Sequence, residues 1–503
     1  MKNLLSSAFL LLSIAACQNT SQSPENTTIA DTPEMTATLP DTLLLSKAYN
    51  QYKESRFAVK RFKHQEVESL LHQLAGNDAL KLHKLGESVQ KRNIYQVEFG
   101  TGHKKVMLWS QMHGDESTAT MAIFDILNFL GGSNDEFDTV RTLIRSNLHL
   151  YFIPMLNPDG AEIFSRRNAM GIDINRDARS GTTPEGKILI QAAKTIAPQY
   201  AFNLHDQQPY YAAGFNQKPA TISFLAPAYN YERDTNQTRA DAMRLIVGMN
   251  RLLQQYIEGG VAKYDDAHEP RGFGDNFQKW GASTILIESG GYPNDPEKQY
   301  IRRLNFLIIL NGLIDIATNN YQKYNVDEYA GIPDNRVKIN DLLIRNITFK
   351  NDTLAYKTDL AINQDQYSLD SGRYYLRGRV EDVGDLQESN GYHELNADGL
   401  TFTEGKFYEK TFKSIDKITP KIAYDLIKAG YYGARIEEVP KDRRHFLPLL
   451  ILKNAPEPGG GMHLGMPANF FLTQNGNLRY AVINGYLIDL NEEPKDIYNQ
   501  YIR

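Results

Sequence analysis

Four compact apolar runs constrain this chain more than any other feature. They are KVMLWSQ from Lys105, LHLYFIPML from Leu148, QYAFNLH from Gln199 and STILIES from Ser283. Each is the length of a strand and apolar enough to be buried on both faces. Helical runs lie between them, such as ATMAIFDILNFLGG from Ala119, which stops at Gly131-Gly132. Strands alternating with helices predict an α/β fold over residues 41–325, with a mixed, mostly parallel sheet flanked by helices. Ligand sites in open α/β sheets lie at the carboxyl ends of the strands. The polar clusters of this sequence fall there, at or just after the end of an apolar run.

After about Asn335 the texture changes. DLLIRNITF, DLAINQD, YYLRGRV and NFFLTQNGNLRYAVINGYLIDL are short strand-like runs, with turn signals at Asn475-Gly476 and Asn484-Gly485. One helical run, KIAYDLIKAGYYGA, interrupts them. This predicts a second, mostly β C-terminal domain over residues 335–503. At 503 residues and 41% hydrophobic content, the chain can supply two or three cores. A net charge of -5, with no basic patch, argues against a nucleic-acid partner.

The N-terminus reads MKNLLSSAFLLLSIAACQNTSQS. An early Lys, an apolar run and small residues before the break predict a secretory signal peptide over residues 1–17. The Ile-Ala-Ala-Cys ending resembles a bacterial lipobox, which implies lipidation of Cys17. The alternative is an ordinary signal cleaved near Ala16. Cys17 is the one cysteine, so an exported chain folds without disulfides. No later apolar run reaches the ~18 residues needed to span a bilayer. A lipid anchor is therefore the expected membrane attachment, and Gln18 suits the outer membrane. Residues 18–40, rich in Ser, Thr, Pro and Asn, read as a flexible linker. About forty residues precede the folded region, so activity without proteolytic activation is expected.

Three clusters carry chemistry. In WSQMHGDEST, His113 and Glu116 follow a strand, with Gly114 turning the chain between them. A His and a carboxylate so placed can face one cation, and a catalytic zinc takes three protein ligands. His205, ending QYAFNLH, is the best third ligand; taken alone, each His also reads as an ordinary backbone-satisfied residue. The second cluster, NPDGAEIFSRRNAMGIDINRDA, holds three arginines and the pair Asn175-Arg176. Arg and Asn suit carboxylate recognition, although an Arg-rich surface loop is the plainer reading. In the third, Glu288 ends a strongly apolar strand before Gly290-Gly291. A carboxylate there is costly unless paired or functional, so it reads as a general base or a structural ion pair.

Taken in order, HxxE, NPDG, R-x-N-x-x-G-x-D-x-N-R, a strand-end His and a strand-end Glu resemble the zinc metallocarboxypeptidase family. The resemblance runs from about Phe62 to Leu313 and includes LGESVQKRNIYQVEFG upstream. It implies one Zn2+ held by His113, Glu116 and His205, with Glu288 as general base. It also implies Asn175 and Arg176 as the clamp for the substrate's terminal carboxylate, and Arg166 as the oxyanion-stabilising residue, with Arg167 competing. Three departures stand out. Asp177-Ala178 follows Asn-Arg where the family has Asn and an aromatic residue. The mobile tyrosine is unassigned, with Asp266 near its position and Tyr264 and His268 nearby. Gly274 leaves the specificity pocket without a bulky or charged side chain, and ESGG replaces the usual continuation after the base.

The C-terminal runs, with VEDVGDL and NADGLTFTEGKF, resemble the small β-domain of amidohydrolases but lack that family's His-x-His motif. An accessory β module is implied, with His393, His445 and His463 structural. The expected function is an exported carboxypeptidase acting on peptides in the periplasm or at the cell surface, anchored to the membrane through Cys17. Trimming of peptidoglycan stem peptides is the alternative within the family. A deacylase on the same ligands fits less well, because the clamp pair is present. A non-catalytic peptide-binding protein is the alternative outside enzymes.

Overall fold

The computed structural model describes residues 42–350, 353–369, 372–454, 462–493 and 498–503. Cys17, the signal sequence and the linker lie outside them. The strands of the first half are β1 (Leu80–Glu87), β2 (Asn93–Phe99), β3 (Lys104–Ser110), β4 (Leu148–Ile153), β5 (Tyr200–Asp206), β6 (Tyr211–Ala213), β7 (Ile222–Leu225), β8 (Val261–Lys263), β9 (Ser283–Ser289) and β10 (Asn335–Val337). Eight of them form one sheet in the order β1-β2-β4-β3-β5-β9-β7-β8. The four apolar runs are its centre, β4, β3, β5 and β9, and pair in parallel. Antiparallel pairs join β1 to β2, β2 to β4, and β9 to β7, so the sheet is mixed.

Alternation along the strands sorts side chains between two cores. Val106, Leu108, Phe202, Leu204, Ile285 and Ile287 face the larger core, with helices α1 (Thr42–Tyr52), α2 (His64–Leu74), α3 (Thr118–Gly131) and α4 (Asp138–Asn147). Met107, Trp109, Tyr151 and Ala201 face the other. The helices that follow are α5 (Pro158–Ile163), α6 (Pro184–Ile196), α7 (Gln237–Leu253), α8 (Phe273–Lys279), α9 (Gln299–Thr318) and α10 (Asp327–Ala330). Of these, α7 and α9 join the larger core, and α6 and α8 the smaller.

One buried ion pair ties α3 to α9. Arg302 donates from Nε to Asp125 Oδ2 at 2.7 Å and from Nη2 to Oδ1 at 2.5 Å. It also donates to the carbonyls of Phe57 and Glu54, and Glu54 N donates to Asp125. Both side chains are fully buried, so every charge here depends on its partner. Asp125→Ala leaves a guanidinium buried without its counter-ion, and is expected to destabilise the protein by about 3–5 kcal/mol in urea unfolding.

The second half begins at β11 (Ile339–Lys350), followed by β12 (Ala355–Ser368), β13 (Tyr374–Gly384), β14 (Asn390–Asn396), β15 (Thr401–Thr403), β16 (Lys406–Ser414), α11 (Pro420–Lys428), β17 (Tyr431–Glu438), β18 (Arg444–His445), β19 (Leu450–Leu452), β20 (Asn469–Gln474), β21 (Asn477–Ile483), β22 (Tyr486–Asp489) and β23 (Gln500–Tyr501). The main sheet runs β13-β12-β11-β15-β20-β21-β22, with β14 also paired to β11. Asn475-Gly476 and Asn484-Gly485 form its hairpin turns, all four residues having positive φ, as such turns require. The helical run KIAYDLIKAGYYGA divides: the helix ends at Lys428, Gly430 turns the chain at φ 86°, and YYGA opens a strand. The described residues from Thr42 onward pack as one compact unit.

His445 lies in this half, 5% exposed, and neither ring nitrogen has a hydrogen-bond partner among the described residues. Burial pushes its pKa down from 6.5 to about 4. The unfolded chain therefore takes up the proton first, and this group's contribution is complete above pH 6.5 and lost as pH falls toward about 4. His445→Leu is expected to flatten the stability curve across that window, by up to about 3 kcal/mol, in denaturant titrations at successive pH values.

Candidate active site

The carboxyl ends of β3, β5 and β9 bring the three clusters together. β3 ends at Ser110, and Gln111 then turns the chain with φ 50°. The turn is locked because Gln111 Nε2 donates to Gly114 O and Gln111 Oε1 accepts from Thr120. A Cβ on Gly114 would stand 2.0 Å from the Gly160 carbonyl carbon, so only glycine lets this turn pack on NPDG. In that motif Asn157 caps α5 by accepting from Gly160 N, and its Nδ2 donates to Met112 O and Arg166 O. NPDG thus holds the His113 turn and the Arg166 loop against each other.

His113 Nδ1 lies 2.7 Å from Glu116 Oε1, His205 Nδ1 lies 2.7 Å from Glu116 Oε2, and the two Nδ1 atoms are 3.2 Å apart. All three side chains are buried, and among the described residues they form the one His/Cys/Asp/Glu group compact enough to hold a metal ion. His113 Nε2 lies 3.0 Å from Asp173 Oδ1. This commits its Nε2–H to the carboxylate and turns the Nδ1 lone pair toward Glu116 and His205, the arrangement that fixes metal-binding imidazoles. Converging lone pairs and a carboxylate, shut away from water, fit a zinc ion. Burial alone would raise the Glu116 carboxyl, but the charge and hydrogen bonds of the two imidazoles hold it well below the usual range. Burial alone would lower His113, but the Glu116 charge and the bonds to Asp173 and Glu116 push it up to about 9, so a cation that takes the Nδ1 lone pair displaces a proton from it.

Glu288 stands beside His205 in the β5–β9 register. Part of it faces the cleft, yet its carboxyl sits deep, and desolvation with the Glu116 charge raises its pKa well above normal. Among the described residues no hydrogen bond ties it down, so its oxygens remain available for a proton. Arg166 bridges Glu116 at 3.0 Å and Asp173 at 3.1 Å, whereas Arg167 turns away to Gly171 O. Asn175 Oδ1 accepts from Phe273 N, which leaves its amide hydrogens to bind a ligand. Arg176 is exposed and pairs with Glu269 at 3.1 Å.

His113, Glu116, His205, Glu288, Arg166, Asn175 and Arg176 all line one cleft of about 360 Å³. A larger cavity of about 470 Å³ between the sheet and α6 holds none of them. Tyr264 also lines the cleft, whereas Asp266 is bound by Arg239 and His268 by Asp275 and Ala228 O. Asp177 has a separate duty. It accepts from Thr182 N and from Thr183, the N-cap of α6. The glycines after Glu288 have physical causes too. A Cβ on Gly290 would stand 2.1 Å from Ala220 O, and one on Gly291 1.8 Å from the Tyr392 hydroxyl.

Residues 67–222 match the zinc carboxypeptidase family. Rat carboxypeptidase D is 23% identical over 253 residues, 43% of this chain and 18% of that protein. Carboxypeptidase SOL1 of Arabidopsis thaliana is 29% identical over 103 residues, 19% of this chain and 21% of that one. The chain therefore spans about a fifth of the length of these relatives. The metallo-carboxypeptidase from Burkholderia cenocepacia is a similar solved structure, at 18% identity and TM-score 0.43, covering 52% of this chain and 70% of that one.

Sequence reasoning gave Asp173 no role, although it stands in the quoted R-x-N-x-x-G-x-D-x-N-R string. Asp173→Asn is expected to weaken zinc binding about 10–100-fold, read by chelator competition, with the fold unchanged by circular dichroism.

Proposed function

We propose that this chain is a zinc-dependent carboxypeptidase that removes single residues from the C-terminus of peptides. One observation carries the reading: the metal-type triad, a deep untied carboxylate and the Asn175-Arg176 pair share one cleft. The match over residues 67–222 supports it.

In this reading Asn175 Nδ2 and Arg176 grip the terminal carboxylate, Arg176 exchanging its bond to Glu269 for the substrate. That grip places the last peptide bond over His113, Glu116 and His205. A zinc ion held there supplies a Lewis acid at the scissile carbonyl. Glu288 takes a proton from the attacking water and delivers it to the leaving nitrogen as the C–N bond breaks. Arg166, already against Glu116, places positive charge where the oxyanion develops. Residues 1–17 act as an export signal ending in lipidated Cys17, and residues 18–40 tether the enzyme outside the inner membrane. That part of the proposal rests on the lipobox-like IAAC and on the low hydrophobicity of the linker.

The test uses protein beginning after Cys17, incubated with a mixed peptide pool and with muropeptides and read by mass spectrometry. Chelator-sensitive release of single C-terminal residues is expected. Glu288→Gln should lower kcat by at least about a hundredfold while zinc content stays at one per chain. Cleavage confined to muropeptides would move the substrate to the cell wall. Bound zinc with no cleavage of either pool would overturn the enzyme reading in favour of a peptide-binding protein.

A further inference from the structure

Asn203 is fully buried, lines the cleft, and has no hydrogen-bond partner for either Oδ1 or Nδ2 among the described residues. Buried amides are normally satisfied, and an orphan facing a cavity is a group waiting for a ligand. Its position is set by the same strands that hold the reacting groups. Asn203 lies two residues before His205 on β5, and Leu286 two residues before Glu288 on β9. The two are register partners, as are His205 and Glu288. With side chains alternating along a strand, all four share one face, and Asn203 and Leu286 lie roughly 7 Å beneath the reacting centre. That is the depth of one extended amino-acid side chain.

Gly274 is what opens this floor. A Cβ there would stand 3.4 Å from Asn203 Nδ2 and 3.2 Å from Pro227, setting a methyl against the amide. Asp275, next in the chain, also lines the cleft. Its Oδ1 accepts from Glu269 N and faces His268 Nδ1. Its Oδ2 lies 3.2 Å from where a Cβ on Gly272 would stand, and Gly272 lines the cleft as well. The two arginines of the cleft are engaged elsewhere, Arg166 with Glu116 and Asp173, Arg176 with Glu269 or, once substrate binds, with its terminal carboxylate. Among the described residues, the deep wall therefore offers acceptor oxygens and the Asn203 amide, with no lysine and no further arginine.

We infer that Asn203 is the specificity-determining residue of the cleft, and that it selects C-terminal residues whose side chains end in N–H donors. An amino, guanidino or carboxamide end donates to Asn203 Oδ1 and Asp275, and a carboxamide also accepts from Asn203 Nδ2. A purely apolar side chain of equal length leaves the amide buried and unpaired. An acidic side chain meets Asp275. This inference deepens the carboxypeptidase reading and rests on it.

The test separates binding from turnover. Free lysine, glutamine, norleucine and glutamate are titrated by calorimetry into the zinc-loaded full chain carrying Glu288→Gln. Peptides ending in the same four residues are given to the wild-type enzyme. Lysine and glutamine are expected to bind on the order of tenfold tighter than norleucine or glutamate, with the same order in kcat/KM. Gly274→Ala, which sets a methyl against the amide without a strained backbone, should lower the lysine-to-norleucine ratio toward one. Asn203→Asp, isosteric and anionic, should favour lysine over glutamine. Norleucine or glutamate preferred by the wild type overturns the inference, as does a ratio unmoved by Gly274→Ala. Lost turnover with the calorimetric order intact would sink the peptidase reading alone.

Discussion

The parallel register of β3, β5 and β9 is the constraint on which the site depends. It sets His205 opposite Glu288 and Asn203 opposite Leu286. β3 lies on the other side of β5, so its end delivers the His113 turn to the same edge. A one-residue slip would turn each of these side chains to the opposite face of the sheet, into the larger core. The apolar burial that fixes the register therefore also fixes the chemistry. Val106, Leu108, Phe202, Leu204, Ile285 and Ile287 cannot move to the other side without losing their core.

Register alone leaves the loops free, and the polar network removes that freedom. Asp173 is the hub: it holds His113 Nε2, receives Arg166, and accepts from Asn175 N. One carboxylate thereby orients a metal-type imidazole, a cation beside Glu116 and Asn175, the first residue of the proposed carboxylate clamp. Burial alone would raise its pKa, but His113 and Arg166 hold it well below the usual range, so it stays ionised. A charge this enclosed persists because all of its partners are present together.

Much of the site was legible in the sequence because its chemistry is concentrated in short strings at strand ends. His113, Glu116, His205 and Glu288 each end or follow an apolar run, and the cleft collects all four. The Asn-Gly turns and the alternation of strand and helix were legible for similar local reasons. Asn203 was less so, although an Asn inside QYAFNLH is a polar residue in a strand buried on both faces. Its meaning depends on Gly274 and α8, seventy residues on in the chain, leaving its amide uncovered. The spacing to Arg176 favours Arg166 in the sequence and leaves Arg167 as its competitor. The structure separates them by direction, one turned toward Glu116 and the other toward Gly171 O. The lipidation site proposed at Cys17 lies outside the described residues.

The least legible feature is the attachment of the second half to the cleft, because it joins residues far apart in the chain. Tyr392 donates to Pro209 O, Tyr210 donates to Asp341, and Lys338 N and Ile339 N both donate to Tyr210 O. β10, which leads directly into β11, pairs with β6, whose first residue, Tyr211, lines the cleft beside Gln207 and Gln208. Tyr374 of β13 donates to Glu297, which also accepts from Lys60 N. The β-rich half thus fixes the wall that follows the metal-type ligand His205 and braces the segment that follows Glu288. ESGG belongs to that joint, since any side chain at Gly291 would displace the Tyr392 hydroxyl. In the Gly290-Gly291 pair after Glu288, Gly291 therefore reflects the packing of this chain's own second sheet, and the cleft is shaped by both halves.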